Sequence, residues 1–263
     1  MTLDFPSEAV ASLDLSPDGR FVVIAEGKIV HLVDTSTRKA AWTIPPFAET
    51  VSVVAFSYDG QYFAVGSMEP RIRVFSVATG KPLAAVPDGL PHEFAGARCK
   101  PPSQPCRVSS LSFSRDGKHL ATGSDDRTAR VFDLGNGREE ASLPHVGPVV
   151  YAVFTREDAR YLATSSNDFI GRVFDVSTGH EMWHLPLRVD DFFPLQFIDH
   201  DKYVLWAASV GDEILVERHP WRLQDMLDDA CAILSRDLTP EEWKPYSEIE
   251  LQACPPSAPR GGR

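Results

Sequence analysis

One segment of the sequence occurs twice, and this duplication constrains the fold more than any other feature. Residues 120–133 read LATGSDDRTARVFD, and residues 162–175 read LATSSNDFIGRVFD, 42 positions later. Each copy reads as a strand, a tight polar turn and a second strand. Strand–turn–strand units repeated at about this spacing are typical of radially arranged sheets in which each unit forms one blade.

A tight turn follows the first strand of each of the first four units. Three of these turns read Ser-x-Asp-Gly and end at Gly19, Gly60 and Gly117, and the fourth keeps the position at Asp158 without a glycine. Glycine supplies the positive φ angle that a tight hairpin requires. The turns are separated by 41, 57 and 41 residues, so the second unit contains an insertion.

The spacing predicts about five blades, of which the fifth is degraded. The third unit contains a full set of predicted strands at Val108–Phe113, His119–Ser124, Arg130–Leu134 and Glu140–Leu143. The fifth unit provides only three, at Phe193–Phe197, Lys202–Ala208 and Asp212–Arg218. Residues 2–5 could supply the missing outer strand and close the ring, which would remove exposed sheet edges. The alternative is an open or partial ring.

The repeated residues resemble those of the WD-repeat family of β-propellers. The resemblance covers residues 9–218 and rests on the SPDG turn at 16–19, the LATGSDD segment at 120–126 and the Val-Phe-Asp at 131–133, where phenylalanine replaces the family's tryptophan. It implies an all-β fold of WD-repeat propeller blades. It also implies a structural hydrogen-bond network in each blade, formed here by His145, Ser166, Asp168 and Phe174, with Ser124, Asp126 and Phe132 in the blade before.

The composition is that of a globular protein with an acidic surface. The chain has 263 residues, 43% apolar content and a formal charge of −11. This charge disfavours binding to nucleic-acid phosphates, and the sequence shows neither a signal peptide nor an apolar run of membrane-spanning length. Cys99, Cys106, Cys231 and Cys254 are expected to be free thiols, although the first two could form a bridge under oxidising conditions. We therefore expect a cytoplasmic protein with no nucleic-acid or membrane partner.

The periodicity changes after residue 218. Apolar residues recur at helical spacing between Leu223 and Leu234, and a second helix start is predicted at Thr239. We divide the chain into blades at 1–218, a helical C-terminal cap at 219–254 and a disordered tail at 255–263. The cap resembles the end of bacterial multidomain WD-repeat proteins that begin with a STAND-type signalling ATPase. Because the sequence has no glycine-rich phosphate loop, this resemblance implies a sensor or scaffold role without the ATPase activity.

Two motifs suggest chemistry but are better explained by the repeat. Residues 180–184 read HEMWH and match the H-E-x-x-H zinc motif, which needs a helix to bring both histidines to one ion. Here they align with predicted outer strands at 81–86 and 138–143, and on a strand residues four apart lie roughly 13 Å from each other. Ser124, Asp125 and Asp126 occupy a turn that recurs in the next blade. We therefore predict no catalytic residue, no metal and no cofactor.

The loops offer the best candidates for contact with a partner. The insertion at 88–105 is rich in proline and joins two blades on the same side as the turns of the duplicated hairpins. Loops on a rigid scaffold commonly carry binding residues, although a tolerated surface insertion is the alternative. The candidate partner-binding residues are Arg71, Phe94, Arg98, Arg127 and Phe169. Open blade edges would also allow self-association.

These observations predict a non-enzymatic scaffold or sensor module that binds protein partners, by resemblance in bacterial signal transduction. One alternative is the C-terminal remnant of a STAND-type ATPase whose catalytic part is missing. Another is an enzyme that uses the central channel, which would need carboxylates or histidines where the blades begin. The predicted first residues of the blades are apolar: Val10, Val51, Val108 and Val149.

Overall fold

The computed structural model describes residues 10–69, 71–83, 93–94, 107–186, 195–210, 213–222, 224–226 and 229. Its strands form five antiparallel sheets, and neighbouring strands in each sheet are consecutive in the chain. Each sheet corresponds to one unit of the sequence repeat. The structure therefore confirms an all-β fold built from propeller blades, and within the described residues the only helical positions are 224–226 and 229.

The bounds of the strands follow the repeat closely. Blade 1 contains β1 (Val10–Leu15), β2 (Phe21–Glu26), β3 (Ile29–Asp34) and β4 (Lys39–Ile44). Blade 2 contains β5 (Val51–Phe56), β6 (Tyr62–Ser67), β7 (Ile72–Ser76) and β8 (Glu93–Phe94). Blade 3 contains β9 (Val108–Phe113), β10 (His119–Ser124), β11 (Thr128–Asp133) and β12 (Glu139–Pro144). Blade 4 contains β13 (Val149–Phe154), β14 (Tyr161–Ser166), β15 (Ile170–Asp175) and β16 (Glu181–Pro186). Blade 5 contains β17 (Gln196–Ile198), β18 (Tyr203–Val210) and β19 (Glu213–Pro220).

The first hairpin of blades 1 to 3 turns at the predicted Asp-Gly sequence. In each turn a serine hydroxyl donates to the aspartate two residues later at 2.6 Å, from Ser16, Ser57 and Ser114. The glycine that follows each aspartate has a φ between 68° and 72°. In blade 4, Ala159 takes up a positive φ of 53° in the corresponding turn. Blades 1 to 3 therefore share one hairpin geometry, and the turn of blade 4 is one residue longer, since the amide of Thr155 bonds the carbonyl of Tyr161 six residues on.

The hydrophobic core lies between neighbouring blades. We call the side of a blade that is turned to the next blade its front face, and the opposite side its back face. The front face of blade 3 contributes small side chains, among them Ala121 and Val131, which pack with Phe154 and Phe174 from the back face of blade 4. Blades 2 and 3 pack in the same way. Small side chains on one face thus make room for aromatic rings on the next.

Side chains of the innermost strands also form hydrogen bonds across these interfaces. The amide of Val54 donates to Ser12 Oγ at 3.2 Å, and the amide of Phe56 donates to Asp14 Oδ2 at 2.7 Å. Two interfaces further on, the amide of Ala152 donates to Ser110 Oγ at 3.0 Å. Because the bonds recur, the innermost strands of blades 2 and 4 are held in register by the blade before them.

In blade 2, two separate segments of the described chain pair with β7. The alignment predicts this strand at 81–86, directly before the insertion. In the structure Pro82 forms a single bridge with Phe75, and the strand that pairs with β7 is β8, inside the insertion. The prediction that the insertion contains only a loop is therefore wrong at Glu93–Phe94. The bonds from Ser76 N to the carbonyl of Lys81 at 2.9 Å and from Leu83 N to the carbonyl of Val74 at 2.7 Å flank Pro82, so the predicted strand begins as expected, and residues 84–86 lie outside the described residues.

Most of the predicted helical cap lies outside the described residues. Within the described part, the amide of Met226 donates to the carbonyl of Arg222 at 3.0 Å, which is a helical bond. Trp221 is buried, and its Nε1 donates to the carbonyl of Asp201 at 2.7 Å. The predicted strand at residues 2–5, the tail and all four cysteines also fall outside the described residues. The described residues contain no helix that is long and apolar enough to cross a membrane.

Candidate partner-binding face

The second hairpin turn of blade 3 is closed by its own side chains. Ser124 Oγ donates to Asp126 Oδ1 at 2.7 Å, and the same oxygen accepts the amide of Thr128 at 3.1 Å. These bonds close the turn around Arg127, whose φ is 69°. Short polar side chains can replace backbone hydrogen bonds in this way, which explains why serine and aspartate recur here.

Blade 4 repeats this turn with a different residue at its tip. The amide of Asp168 donates to Ser166 Oγ at 3.4 Å, and the amide of Ile170 donates to Asp168 Oδ1 at 3.0 Å. Phe169 lies between them with a φ of 60°. The two turns therefore share one frame, and their tip residues share one backbone conformation.

A buried arginine, which the sequence patterns did not single out, anchors each of these turns. Arg130 donates to both carboxylate oxygens of Asp126 at 3.2 and 2.6 Å, and Arg172 pairs with both oxygens of Asp168 at 3.1 and 2.8 Å. These four side chains are between 4% and 10% exposed. Bidentate pairs tolerate burial because each charge is hydrogen-bonded. The available signal was an Arg-Val-Phe triplet, which occurs at 73–75, 130–132 and 172–174.

The carboxylate of Asp168 stays charged in this setting. Burial alone would raise the pKa of Asp168, but the hydrogen bonds from Arg172 and Ser166 outweigh it and hold the pKa below its ordinary value. Phe132 and Phe174, the aromatic members of the predicted networks, are buried in the interface of each blade with the preceding one. Each of the two blades thus combines a polar turn with a buried aromatic side chain in its interface with the preceding blade.

His145 lies in the loop between blades 3 and 4 and has other partners than the family pattern implies. Its Nε2 is 2.8 Å from Thr164 Oγ1, and its Nδ1 is 2.9 Å from the carbonyl of Leu143, so Nδ1 carries the proton and Nε2 accepts the hydroxyl. The ring contacts Phe174 edge to face at 5.5 Å. Burial lowers the pKa of His145 to about 4.

The structure thus splits the predicted network of blade 4 into two parts. His145 and Phe174 form one part together with Thr164, which the sequence did not suggest. Ser166 and Asp168 form the other part around the turn, together with Arg172. Both ring nitrogens of His145 are engaged, Nδ1 by Leu143 of blade 3 and Nε2 by Thr164 of blade 4, which suits a structural role rather than proton transfer to a substrate.

Three of the five candidate contact residues have described side chains. Arg71, Arg127 and Phe169 are all exposed, and the latter two occupy equivalent tips with a left-handed backbone that is uncommon outside glycine. For Phe94 the structure describes the backbone, which pairs with Ile72. Arg98 lies outside the described residues.

The tip residues lie on the same side of the blades as the loops that connect one blade to the next. The amide of His145 donates to the carbonyl of Arg127, and the amide of Asn167 donates to the carbonyl of Pro148, both at 2.8 Å. The loop 145–148 is therefore bonded to the turns of blades 3 and 4. We call the side formed by the turns 68–71, 125–127 and 167–169 and by this loop the upper face. Val146 is 75% exposed there and adds apolar surface to this face, which the sequence did not reveal.

The opposite side of the blades carries the Asp-Gly turns and a groove. The groove has a volume of about 520 Å³ and lies between blades 1 and 2, where Arg20, Asp34, Trp42 and Tyr62 line it. Trp42 crosses from blade 1, and its Nε1 donates to the carbonyl of Val77 in blade 2 at 2.9 Å. This indole therefore links the two blades.

Blade 3 contains a group of side chains with potential metal-ligand atoms. The ligand atoms of His119, Asp133 and Glu140 lie within 4.8 Å of one another. Glu140 Oε2 is 3.1 Å from His119 Nε2, and Asp133 Oδ1 accepts the amide of Gly135 at 2.6 Å. Ion pairing and turn formation already give these groups partners.

The zinc-like motif at 180–184 lies at the start of an outer strand. Glu181–Pro186 form β16, which confirms the predicted strand. Glu181 Oε1 is 2.7 Å from His184 Nδ1, and its Oε2 is 3.2 Å from Arg172 Nε. The glutamate of the motif thus extends the charge network that anchors the turn of blade 4.

Comparison with known proteins agrees with this architecture. Residues 42–76 and 99–133 match the family model described as WD domain, G-beta repeat. The solved structure of U3-55K superposes with a TM-score of 0.67 at 18% identity, over 81% of this chain and 62% of that chain. Together these matches support a WD-repeat β-propeller family.

Curated relatives match over part of their length. The Poly(A)+ RNA export protein of Schizosaccharomyces pombe is 31% identical over 101 residues, which are 38% of this chain and 25% of that protein. COMPASS component SWD3 of Saccharomyces cerevisiae is 29% identical over 124 residues, which are 47% of this chain and 34% of that protein. The WD repeat-containing protein SL1-17 of Schistosoma mansoni is 27% identical over 128 residues, 48% of this chain and 37% of that protein. The matches thus span between 25% and 37% of these relatives.

Proposed function

We propose that the chain is a non-enzymatic scaffold that binds protein partners through its upper face. The observation that carries this proposal is the contrast between frame and tip in the turns of blades 3 and 4. Serine, aspartate and a buried arginine recur in the frame, whereas the tip is Arg127 in one turn and Phe169 in the next. Both tips are exposed. A rigid frame with variable exposed tips is suited to recognition.

The side chains of the upper face favour a protein as the partner. Arginine and aromatic residues are enriched in protein interfaces, where they contribute much of the binding energy. Val146 lies on the loop between the two tips and supplies apolar surface beside them. The formal charge of −11 opposes binding to phosphate backbones. Among the relatives, SWD3 is named as a component of COMPASS.

The cellular setting is the finer part of the proposal. The resemblance of residues 220–254 to the tails of bacterial STAND-type proteins supports a cytoplasmic sensor or scaffold in signal transduction. The same resemblance supports the alternative that the chain is the C-terminal remnant of such an ATPase. Copurification of an ATPase with a phosphate-binding loop would support this setting, and partners of another kind only would oppose it.

The proposal is tested by removing two tips and by a matched change on the opposite side. Arg127→Ala with Phe169→Ala should lower the recovery of copurifying protein at least tenfold, because such residues are frequent hot spots. Arg115→Ala with Tyr58→Ala removes one arginine and one exposed aromatic ring from the Asp-Gly turns and should leave recovery unchanged. Quantitative mass spectrometry of tagged full-length chains measures both.

Two outcomes would contradict the proposal. Equal loss in both double variants would mean that binding does not depend on the upper face. Full recovery with Arg127→Ala and Phe169→Ala would mean that these tips do not contact the partner. A third variant without residues 88–105 separates the contribution of the insertion from that of the turns.

A further inference from the structure

Three side chains with potential metal-ligand atoms meet at the edge of blade 3 that carries its Asp-Gly turn. His119 begins β10, Asp133 ends β11 directly opposite it in the register, and Glu140 lies near the start of β12. Their ligand atoms lie within 4.8 Å of one another. Because three neighbouring strands of one sheet carry these residues, the sheet fixes their backbone positions relative to each other.

The repeat explains only one of these three residues. Asp133 Oδ1 accepts the amides of the two residues after Leu134 at 2.6 and 2.9 Å, and Asp34 and Asp175 close their turns in the same way. The position of His119, by contrast, holds an aromatic ring in the other blades of the first four: Phe21, Tyr62 and Tyr161. The fold of a blade therefore does not require a histidine there.

Glu140 is also particular to blade 3. It is the extra residue of a β-bulge in β12, since its two neighbours pair with Phe132 and Val131, which are adjacent in β11. The same bulge position holds Ala41 in blade 1 and Met182 in blade 4. Bulges redirect a side chain and are frequent next to functional sites. Blade 3 thus departs from the repeat at two positions whose side chains meet.

The two ring nitrogens of His119 have different surroundings. Nε2 is 3.1 Å from Glu140 Oε2. Nδ1 is buried and has no hydrogen-bond partner among the described residues, and Asp116 Oδ1 is 3.9 Å away from it, beyond hydrogen-bond distance. A buried polar atom without a partner is rare in a folded protein and indicates an interaction that the protein groups alone do not supply.

Neither neutral tautomer of His119 fits these surroundings. A proton on Nε2 leaves Nδ1 as a buried acceptor without a donor, and a proton on Nδ1 turns the lone pair of Nε2 towards the carboxylate of Glu140. A cation between Nε2 and the carboxylates removes this repulsion and places the ring proton on Nδ1, on the side of Asp116. Histidine ligands of metal ions commonly have a carboxylate behind the second ring nitrogen.

We propose that His119, Asp133 and Glu140 bind one zinc(II) ion. One imidazole and two carboxylates are suitable zinc ligands, and the two carboxylates balance the charge of the ion. Ligand atoms around a tetrahedral zinc ion lie about 3.4 Å apart, so the group needs to contract slightly. The side chain of Glu140 is 39% exposed and can contract the group by a change of rotamer.

The bound ion would connect three of the four strands of blade 3. The sequence predicted no metal because its one metal motif is a linear one at 180–184, whereas these ligands are distributed over three strands. The site lies on the side of the blades opposite the upper face and does not depend on the function proposed there.

Binding is tested by isothermal titration of the full-length chain with zinc chloride. The variants His119→Tyr and Glu140→Met introduce the residues that blade 4 carries at the same positions, so both should keep the fold, which circular dichroism checks. Each should weaken zinc binding at least tenfold. The control is the double variant His180→Gln with His184→Gln, which removes the histidines of the linear motif and should leave the affinity unchanged.

Several outcomes would overturn the proposal. The absence of binding at micromolar zinc is one, and equal affinity in the unaltered chain and in both blade 3 variants is another. X-ray absorption at the zinc edge should show only nitrogen and oxygen ligands, and sulfur ligands would assign the ion to the cysteines instead. If His119→Tyr does not fold, Glu140→Gln at the partly exposed bulge residue provides the same test, and unchanged affinity in that variant would contradict the site.

Discussion

Blades 2 and 4 have the same architecture but meet the same structural demands with different chemistry. Phe47, four residues before β5, packs in an apolar cluster that includes Val65. At the equivalent position before β13 stands His145, and its ring nitrogen bonds the hydroxyl of Thr164, the counterpart of Val65. The two facing residues are either both apolar or both polar. This pair of positions can therefore hold two apolar or two polar side chains, because a buried polar group needs a hydrogen-bond partner.

The turns of the two blades differ in how deeply their charges are buried. In blade 2, Arg73 and Glu69 approach to 3.8 Å, and the arginine side chain is 28% exposed. In blade 4, Arg172 and Asp168 approach to 2.8 Å, and the arginine side chain is 10% exposed. Aspartate is one methylene shorter than glutamate, and the arginine that pairs with it is the less exposed of the two. Blade 4 should depend on its ion pair far more than blade 2 does.

The largest expected effect comes from breaking this ion pair. Asp168→Ala leaves the buried guanidinium of Arg172 without its bidentate partner and should lower the free energy of unfolding by about 3–5 kcal/mol. Glu69→Ala, the matched change in blade 2, should cost at most about 1 kcal/mol because that pair is more exposed. Urea unfolding followed by circular dichroism measures both. Combining Asp168→Ala with Arg172→Met should recover part of the loss, and equal costs in the two blades would refute the distinction.

The next effect is a pH dependence that blade 4 has and blade 2 lacks. The pKa of His145 is about 4 in the fold against 6.5 for an ordinary histidine in the unfolded chain, so between these values mainly the unfolded chain binds the proton. The free energy of unfolding should therefore fall by about 3 kcal/mol as the pH is lowered from 6.5 to 4.

The double variant His145→Phe with Thr164→Val copies the apolar pair of blade 2 and should remove this dependence. The control is His180→Gln, at an exposed histidine of the same blade, which should keep it. Unfolding free energies at pH 6.5, 5.5 and 4.5 provide the comparison. A slope that persists in the double variant would show that other groups cause it.

A smaller effect is expected from exchanging the small residues that lie at equivalent positions of β6 and β14. A Cβ atom on Gly66 would lie 2.9 Å from Val108 Cγ1 of the next blade, so Gly66→Ser should cost about 1–3 kcal/mol through overpacking. Ser165 is buried at the same position of blade 4. Ser165→Gly should change stability by no more than about 1 kcal/mol. Thermal unfolding of both variants tests this asymmetry, and equal destabilisation would contradict it.

The smallest effect on stability is expected at the tips. Phe169→Arg at the tip in blade 4, and Arg71→Phe one position after the corresponding tip in blade 2, should each alter the free energy of unfolding by less than about 0.5 kcal/mol. Both residues are exposed, and surface substitutions change stability little. Differential scanning calorimetry is the measurement. A loss above 1 kcal/mol would assign the tip a structural role.

The repeat made the blades predictable because each hairpin carries its own signal. Asp-Gly turns and alternating apolar residues act locally, so they predicted the first two strands of blade 3 to the residue. The second part of the outer strand of blade 2 was not predictable in this way, since residues 81–83 pair with the end of β7 and its start pairs with Glu93–Phe94 inside the insertion. Local sequence patterns do not predict the pairing of β7 with β8, because these two strands are separated by a long segment of chain.

The site was predictable only in part because burial is a property of the assembled blades. Arg130 and Arg172 lie on strands where an arginine reads as a solvent-exposed residue, yet their pairs are buried by neighbouring elements. Leu13 reads as a core residue and is exposed, because no described blade covers it. Arg127 and Phe169 could be found from sequence, since they differ between two otherwise similar copies. Patterns that act within one blade are thus easier to read than contacts between blades.

The placement of the indoles gives each end of the row of blades its own optical signal. Trp42 spans the junction of blades 1 and 2, whereas Trp221 is buried in blade 5 against the rings of Tyr161 and Phe197. Emission from a polar, half-exposed indole lies at longer wavelength than emission from an enclosed one. A structural change near Trp42 should therefore alter the emission at longer wavelengths, and a structural change near Trp221 should alter the emission at shorter wavelengths.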